Sequence, residues 1–242
     1  MPRDYPDWGV TPGAVAVYSL QDMAELAARL GSIDTFDRRG DVIFADGFEN
    51  GLAQWYTSVI GTSGAVSASA LRARSGGFSA KLITGTEVYG LAEIDRYFPY
   101  PALSRMGNEI SFVVAGSVEQ YEFGLAVNDG THQLLALIRY DSQNKTLEYY
   151  GSDEAYHVFA SDVNLFAYSY LFHTCKVVGD FANSKYVRLI LDSTEYDLSA
   201  YALCSRADTT DPMASVYYII YNKTAGSKTS YADDAIVTQN EP

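Results

Sequence analysis

The chain has 242 residues, 48% of them hydrophobic, with 20 Tyr and 11 Phe against 4 Met, enough apolar content for a sizeable core of strand-forming side chains. A net charge of −13 argues against a nucleic-acid partner, whose phosphates demand clustered Lys and Arg, and Arg38-Arg39 is only a pair. No apolar run approaches the ~18 residues of a membrane span, and the start at Met1 lacks the layout of a secretion signal, so synthesis in the cytoplasm, with retention there or release by lysis, is expected.

Residues 1–18 carry Pro2, Pro6, Pro12, Gly9 and Gly13, with Tyr5 and Trp8 as the large side chains. Proline fixes its φ and lacks a backbone donor, so this stretch suits neither a ladder nor a helix and reads as an extended arm. Ser19 has the chemistry of an N-cap, with Asp22 three residues on. Leu20, Met23, Ala27 and Leu30 recur at helical spacing and Gly31 follows as a helix stop, predicting one short α-helix over roughly 20–30. A helix of about ten residues is not stable alone. Its apolar stripe must bury against its own domain or a neighbouring chain, which makes Tyr5, Trp8, Leu20, Met23 and Leu30 the candidate partner-binding residues. The expected organisation is an arm with its helix over 1–40 and one domain over 41–242.

Beyond residue 41 the period of the pattern becomes two. Tyr121, Phe123, Leu125 and Val127 alternate with Glu122, Gly124, Ala126 and Asn128, and Ile110, Phe112 and Val114 recur at the same period of two. Asp129-Gly130 then turns the chain into Gln133–Tyr140, predicting an antiparallel hairpin. A polar turn over 141–145 leads to a strand over Thr146–Tyr150. A meander follows from His173 to Phe181, Tyr186 to Leu191 and Glu195 to Leu198, and the last strands are Tyr217–Tyr221 and Ala235–Val237. Roughly a dozen short strands with turn signals about every ten residues is the spacing of a β-sandwich.

Three separated motifs sharpen this. Phe44-Ala45-Asp46-Gly47-Phe48-Glu49-Asn50-Gly51-Leu52-Ala53-Gln54-Trp55 opens the folded part, Ser75-Gly76-Gly77-Phe78-Ser79-Ala80-Lys81-Leu82 turns into a strand, and Tyr231-Ala232-Asp233-Asp234-Ala235-Ile236-Val237 closes it. In this order they resemble the first strand, second hairpin and last strand of all-β, antiparallel jelly-roll sandwiches of the carbohydrate-binding-module and concanavalin-A-like kind. The meander over 173–199 is similar to hairpins of concanavalin-A-like and laminin-G-like sandwiches. The resemblance implies that the first and last strands are spatial neighbours and that Trp55 is a packing residue. It also implies a structural calcium ion (Ca2+), with Asp46 and Glu49 in the opening motif and Asp233 and Asp234 in the closing one as its carboxylates and carbonyls of the 75–77 turn completing the shell. The alternative for these four side chains is turn capping.

Function is less constrained. The run Tyr149, Tyr150, Tyr156, Phe159, Phe166, Tyr168, Tyr170 and Phe172, with Asp153, Glu154 and Asp162 nearby, reads as a glycan groove or as core and inter-subunit contact. Glu93 and Asp95 alternate on one strand, and Glu119 and Glu122 less regularly, but the acidic triplet of sandwich glycosidases is absent, and His132, His157 and His173 are scattered. No nucleophile elbow, phosphate loop or zinc-protease motif occurs, so no enzyme activity is expected. Cys175 and Cys204 leave one disulfide and two buried thiols equally open. An aromatic arm, a short helix and a Tyr-rich sandwich together look like a bacteriophage virion protein of the capsid decoration, tail or fibre kind, non-catalytic, homo-oligomeric and docked through its arm. The competing reading is an extracellular carbohydrate-binding module or lectin-like protein.

Overall fold

The computed structural model describes residues 39–100 and 103–242. The expected arm, its helix and the candidate partner-binding residues Tyr5, Trp8, Leu20, Met23 and Leu30 lie outside the described residues. Sixteen strands and no helix form the described part. They are β1 (Asp41–Asp46), β2 (Tyr56–Ile60), β3 (Ala65–Ser69), β4 (Ser79–Ile83), β5 (Leu91–Pro99) and β6 (Arg105–Val113). There follow β7 (Gln120–Asn128), β8 (His132–Asp141), β9 (Thr146–Tyr150), β10 (Tyr156–Ala160) and β11 (Phe172–Asp180). The chain ends with β12 (Lys185–Leu191), β13 (Thr194–Asp197), β14 (Cys204–Ala207), β15 (Met213–Tyr221) and β16 (Thr229–Gln239).

Two antiparallel sheets of eight strands each share these elements. The first runs β13-β12-β11-β6-β16-β4-β3, with β1 beside the C-terminal half of β16; the second runs β10-β9-β8-β7-β15-β5-β2, with β14 beside the start of β8. The ends of the sandwich meet as the three motifs imply. Ala45 pairs with Ile236 and Asp46 with Ala235, while Lys81 of the glycine-turn strand pairs with Tyr231. Strand β16 is therefore the seam of the first sheet, with β6 on one side and β4 and then β1 on the other.

The period-two pattern decides which face each residue takes. Ile110 and Phe112 of β6, Tyr121, Phe123 and Leu125 of β7 and Val216, Tyr218 and Ile220 of β15 point into one buried cluster between the sheets. Phe112 and Phe123 meet edge to face at 4.8 Å, and Phe48 and Trp55 from the opening motif lie 5.3 Å apart in the same core. Trp55 is a packing residue, and its indole N–H donates to Asp46 Oδ2 at 2.8 Å.

The strands number more than the dozen that the sequence suggests. β2 and β3 are five residues each and stay largely exposed, Tyr56 and Ile60 included, so no buried apolar alternation marks them. The closing strand is also longer than Ala235–Val237, because Ser230 and Asp233 are buried in it with their polar groups satisfied. Cys175 and Cys204 are free thiols, both buried, one in the main core and one on the opposite side of the second sheet.

Candidate functional site

The second sheet has two faces, and the one turned away from the shared core carries the chemistry. Its floor is a small separate apolar cluster of Ala126, Leu135, Leu137 and Cys204, with Tyr150 and Tyr217 packed on it. Tyr217 of β15 sits opposite Asp95 of β5 on one side and Gly124 of β7 on the other. A Cβ on Gly124 would lie 2.3 Å from the Tyr217 ring, so glycine at this strand position is what lets the ring lie flat across β7. One residue-pair along, Glu93, Ile219, Glu122, Arg139 and Glu148 line up across five adjacent strands by register alone.

These rows enclose a cleft of about 400 Å³. Among the described residues, five tyrosines (Tyr97, Tyr150, Tyr156, Tyr217 and Tyr221) line it together with Glu93, Asp95, Glu122, Arg139, Arg206, Gln133 and Ser215. The volume falls in the range of a small-molecule or oligomer subsite, and the lining above the apolar floor is mostly polar.

Two charge arrangements organise it. Glu122 is buried, and its carboxylate accepts from the Tyr156 hydroxyl and, at 3.1 Å, from Arg139 Nη2. The Arg139 guanidinium also lies 3.3 Å from the Tyr156 ring centroid. Burial pushes the Glu122 carboxyl up, while Tyr156 and Arg139 act in the opposite sense. The second arrangement is Glu93 and Asp95, which share a hydrogen bond two residues apart on one strand face. Burial, and then the neighbouring Glu93 charge, pushes Asp95 up to about 8, and burial raises Glu93 as well. Two carboxyls this close cannot both ionise cheaply, so the pair holds a proton at neutral pH. The same burial and the two acidic neighbours push Tyr97 up to about 12. The cleft thus offers a protonated carboxyl, phenolic hydroxyls that stay protonated and a guanidinium, all donors to a hydroxylated ligand.

The aromatic run read from the sequence is divided by strand parity. Tyr150 and Tyr156 face the cleft, Tyr149 turns to the core side and stacks on Tyr201 at 4.1 Å, and Phe159 packs against the core. Phe166, Tyr168 and Tyr170 lie exposed on the segment between β10 and β11. Of the acidic candidates, Glu93, Asp95 and Glu122 come together, whereas Glu119 binds Thr224 and the backbone of Lys223 elsewhere. Tyr97, Arg139, Arg206, Tyr217 and Tyr221 are cleft residues that the sequence reading missed. β15 reads Tyr-Tyr-Ile-Ile-Tyr over 217–221, apolar on both faces, so its pattern hides which tyrosines point outward.

The four carboxylates implied for calcium do converge on the junction of β1, the 75–77 turn and β16. Asp46 accepts from the Phe48 and Trp55 N–H groups, and Glu49 from the backbone of Gly77 and Phe78. Asp233 accepts from the Arg74 and Ser75 backbone, and Asp234 pairs with the Arg74 guanidinium at 2.8 Å and with the Ser75 hydroxyl. The positive charge at this junction is Arg74, and the oxygens are turned to N–H and O–H donors. These contacts are of the turn-capping kind, the alternative named for the four side chains. Among the described residues no group of three or more His, Cys, Asp and Glu is gathered as a metal cluster.

No protein-family model and no curated protein matches this sequence. Solved structures do. An endo-β-1,4-glucuronan lyase from the fungus Trichoderma reesei superposes with a TM-score of 0.54 at 13% identity, over 83% of this chain and 96% of that one. The alginate lyase vAL-1 from Chlorella virus gives 0.53 at 11% identity, over 82% and 100%. A sialidase gives 0.52 at 8% identity over 84% of this chain, which spans only 19% of the sialidase's length. At such identities the likeness shows the fold alone, a jelly-roll sandwich of two antiparallel β-sheets.

Proposed function

We propose that this protein recognises a glycan chain in the cleft on the outer face of the second sheet. The observation that carries the reading is the cleft itself: an apolar floor under flat tyrosine rings, ringed by donors and acceptors that suit sugar hydroxyls. With one proton held by the Glu93–Asp95 pair, the carboxyls Glu93, Asp95 and Glu122 carry no more charge than the guanidinium groups Arg139 and Arg206, and a charge-balanced cleft favours a neutral sugar over a polyanion. The polysaccharide-active proteins that share the fold support this reading, though fold alone does not carry function. The virion role suggested by the layout of the sequence finds no such support, so the glycan reading takes precedence.

Native gel electrophoresis through neutral glucans, xylan and mannan tests it. Retardation by at least one polymer is expected, with affinity falling about tenfold, or 1.4 kcal/mol, in Tyr97→Ala. Tyr97 is 43% exposed at the cleft, so its loss does not disturb the core. A protein that no polymer retards, or that binds equally well without Tyr97, would remove the reading.

Cleavage of the bound chain is a second reading, favoured by the Glu93–Asp95 pair. A carboxyl that keeps its proton near neutral pH can protonate a glycosidic oxygen. New reducing ends released by the native protein and not by Glu93→Gln or Asp95→Asn would establish it; none from either would confine the cleft to binding.

A further inference from the structure

A second cavity, of about 410 Å³, opens on the outer face of the first sheet. Among the described residues that line it are Arg72, Lys81, Ser117, Ser169, Thr229 and Tyr231, and no carboxylate is among them. This is unusual ground in a chain of net charge −13. The Arg72 guanidinium is sandwiched between two rings, 4.5 Å from Tyr170 and 5.1 Å from Tyr231. Its Nε is buried without a hydrogen-bond partner, and neither Arg72 nor Lys81 has a salt bridge among the described residues. A buried donor left unsatisfied is costly and points to an absent acceptor.

The cavity does not stand alone. Ser169 on its wall lies between Tyr168 and Tyr170, which with Phe166 form a strip of rings whose centroids are 6.2 and 5.9 Å apart. These three side chains are 67%, 55% and 67% exposed, a contiguous aromatic patch that the other described residues leave mostly uncovered. Flat apolar faces in a row suit successive sugar rings, and hydroxyls on the cavity wall suit their polar edges. The unneutralised guanidinium and ammonium add a demand for negative charge.

We infer that this face binds an acidic polysaccharide, one carrying carboxylate or sulfate groups, with the anionic group at Arg72 and Lys81 and the sugar rings along Phe166, Tyr168 and Tyr170. The site is separate from the cleft of the second sheet and differs from it in charge preference. Because the whole protein is strongly acidic, long-range repulsion opposes any polyanion, and retention by one requires a local site.

The full chain is run through native gels containing alginate, dextran sulfate or neutral dextran. Alginate or dextran sulfate is expected to retard it and neutral dextran not, with the effect fading as salt screens the charges. Arg72→Gln, Lys81→Gln and Tyr168→Ala each weaken retention about tenfold, whereas Tyr97→Ala in the other cleft leaves it unchanged. Lys81 and Tyr168 contribute to neither core, so their variants keep the test valid if Arg72→Gln fails to fold. Absence of retardation by both acidic polymers at low salt overturns the inference. So does retention that the three variants leave intact, or full displacement by inorganic sulfate at the polymer's charge concentration, which would mark an anion site without a sugar strip.

Discussion

Asp95 shows how one side chain ties the cleft to stability. Its folded-state carboxyl is raised to about 8 by burial and by Glu93, well above its ordinary value of 3.8. Between those values the folded protein holds a proton that the unfolded chain has released. The contribution is therefore fully present below about pH 4 and is lost as pH rises through about 8. Asp233, raised to about 6 by burial and then by Asp234, adds the same sign over a narrower window. Urea midpoints measured at pH 5 and pH 8.5 should fall with pH in the native chain and fall less in Asp95→Asn, whose amide needs no proton to donate to Glu93. An equal slope in both proteins would mean that Asp95 is ordinarily ionised. A second residue-scale consequence concerns Gly124. Gly124→Ala places a methyl against the Tyr217 ring, so the ring must lift from the cleft floor. Glycan affinity in the cleft is expected to fall at least about tenfold while the melting temperature changes little, which titration of the variant against the best neutral polymer would check.

At the level of elements, strands with a clean alternation were legible and those without it were not. The hairpin of β7 and β8 around Asp129-Gly130 was readable because its apolar residues fall on one face and because Asp129 caps the turn, accepting from Thr131 and His132 N–H groups. β9 and the meander β11-β12-β13 were readable for the same reason. The cleft was half legible: Glu93 and Asp95 stood out as an alternating acidic pair, but the tyrosines of β15 did not, since both of its faces are apolar. The calcium expectation came from the resemblance carried by the opening and closing motifs, and the approach of Arg74 to Asp234 at their junction is a contact that no sequence pattern displays. Between β10 and β11 a different device operates. His173 Nδ1 lies 2.7 Å from Asp192 Oδ2 and Nε2 lies 3.1 Å from the Phe166 carbonyl oxygen. Both partners only accept, so only the doubly protonated ring satisfies both, and those hydrogen bonds with the Asp192 charge raise its pKa against the opposing effect of burial. The anchorage of Phe166 is present below the ordinary pKa of 6.5 and is lost as pH rises through the raised one. Amide exchange over residues 161–171 is expected to show more opening at pH 8 than at pH 6, after correction for intrinsic rates. His173→Gln should abolish that difference, and a native chain without it would show that the contact does not titrate.

Across the whole molecule, the two sheets are joined by more than apolar contact. Strand β8 pairs with β14 up to Leu135 and with β9 from Ile138, leaving Leu137 between them without a strand partner on that side. Tyr186, from β12 of the opposite sheet, fills the gap. Its hydroxyl accepts from the Leu137 N–H at 2.9 Å and lies 3.0 Å from the Leu137 carbonyl and 2.9 Å from that of Tyr150. Asn108 of β6 likewise donates across the core to the Gly124 carbonyl at 2.9 Å, and Tyr218 of β15 meets Ser230 of β16 at 3.0 Å. These links cross a core whose residues otherwise form one contiguous cluster, so the sheets are expected to unfold together. Tyr186→Phe keeps the ring and its volume but leaves the Leu137 N–H buried and unpaired, at a cost of about 1–3 kcal/mol. Since Leu137 and Tyr150 also belong to the cleft, the loosened strand junction should lower glycan affinity together with stability. Calorimetry of Tyr186→Phe is expected to show one transition at a lower temperature. Two resolved transitions would mean that the sheets are held as separate units, and an unchanged melting point would mean that the hydroxyl does not bridge them.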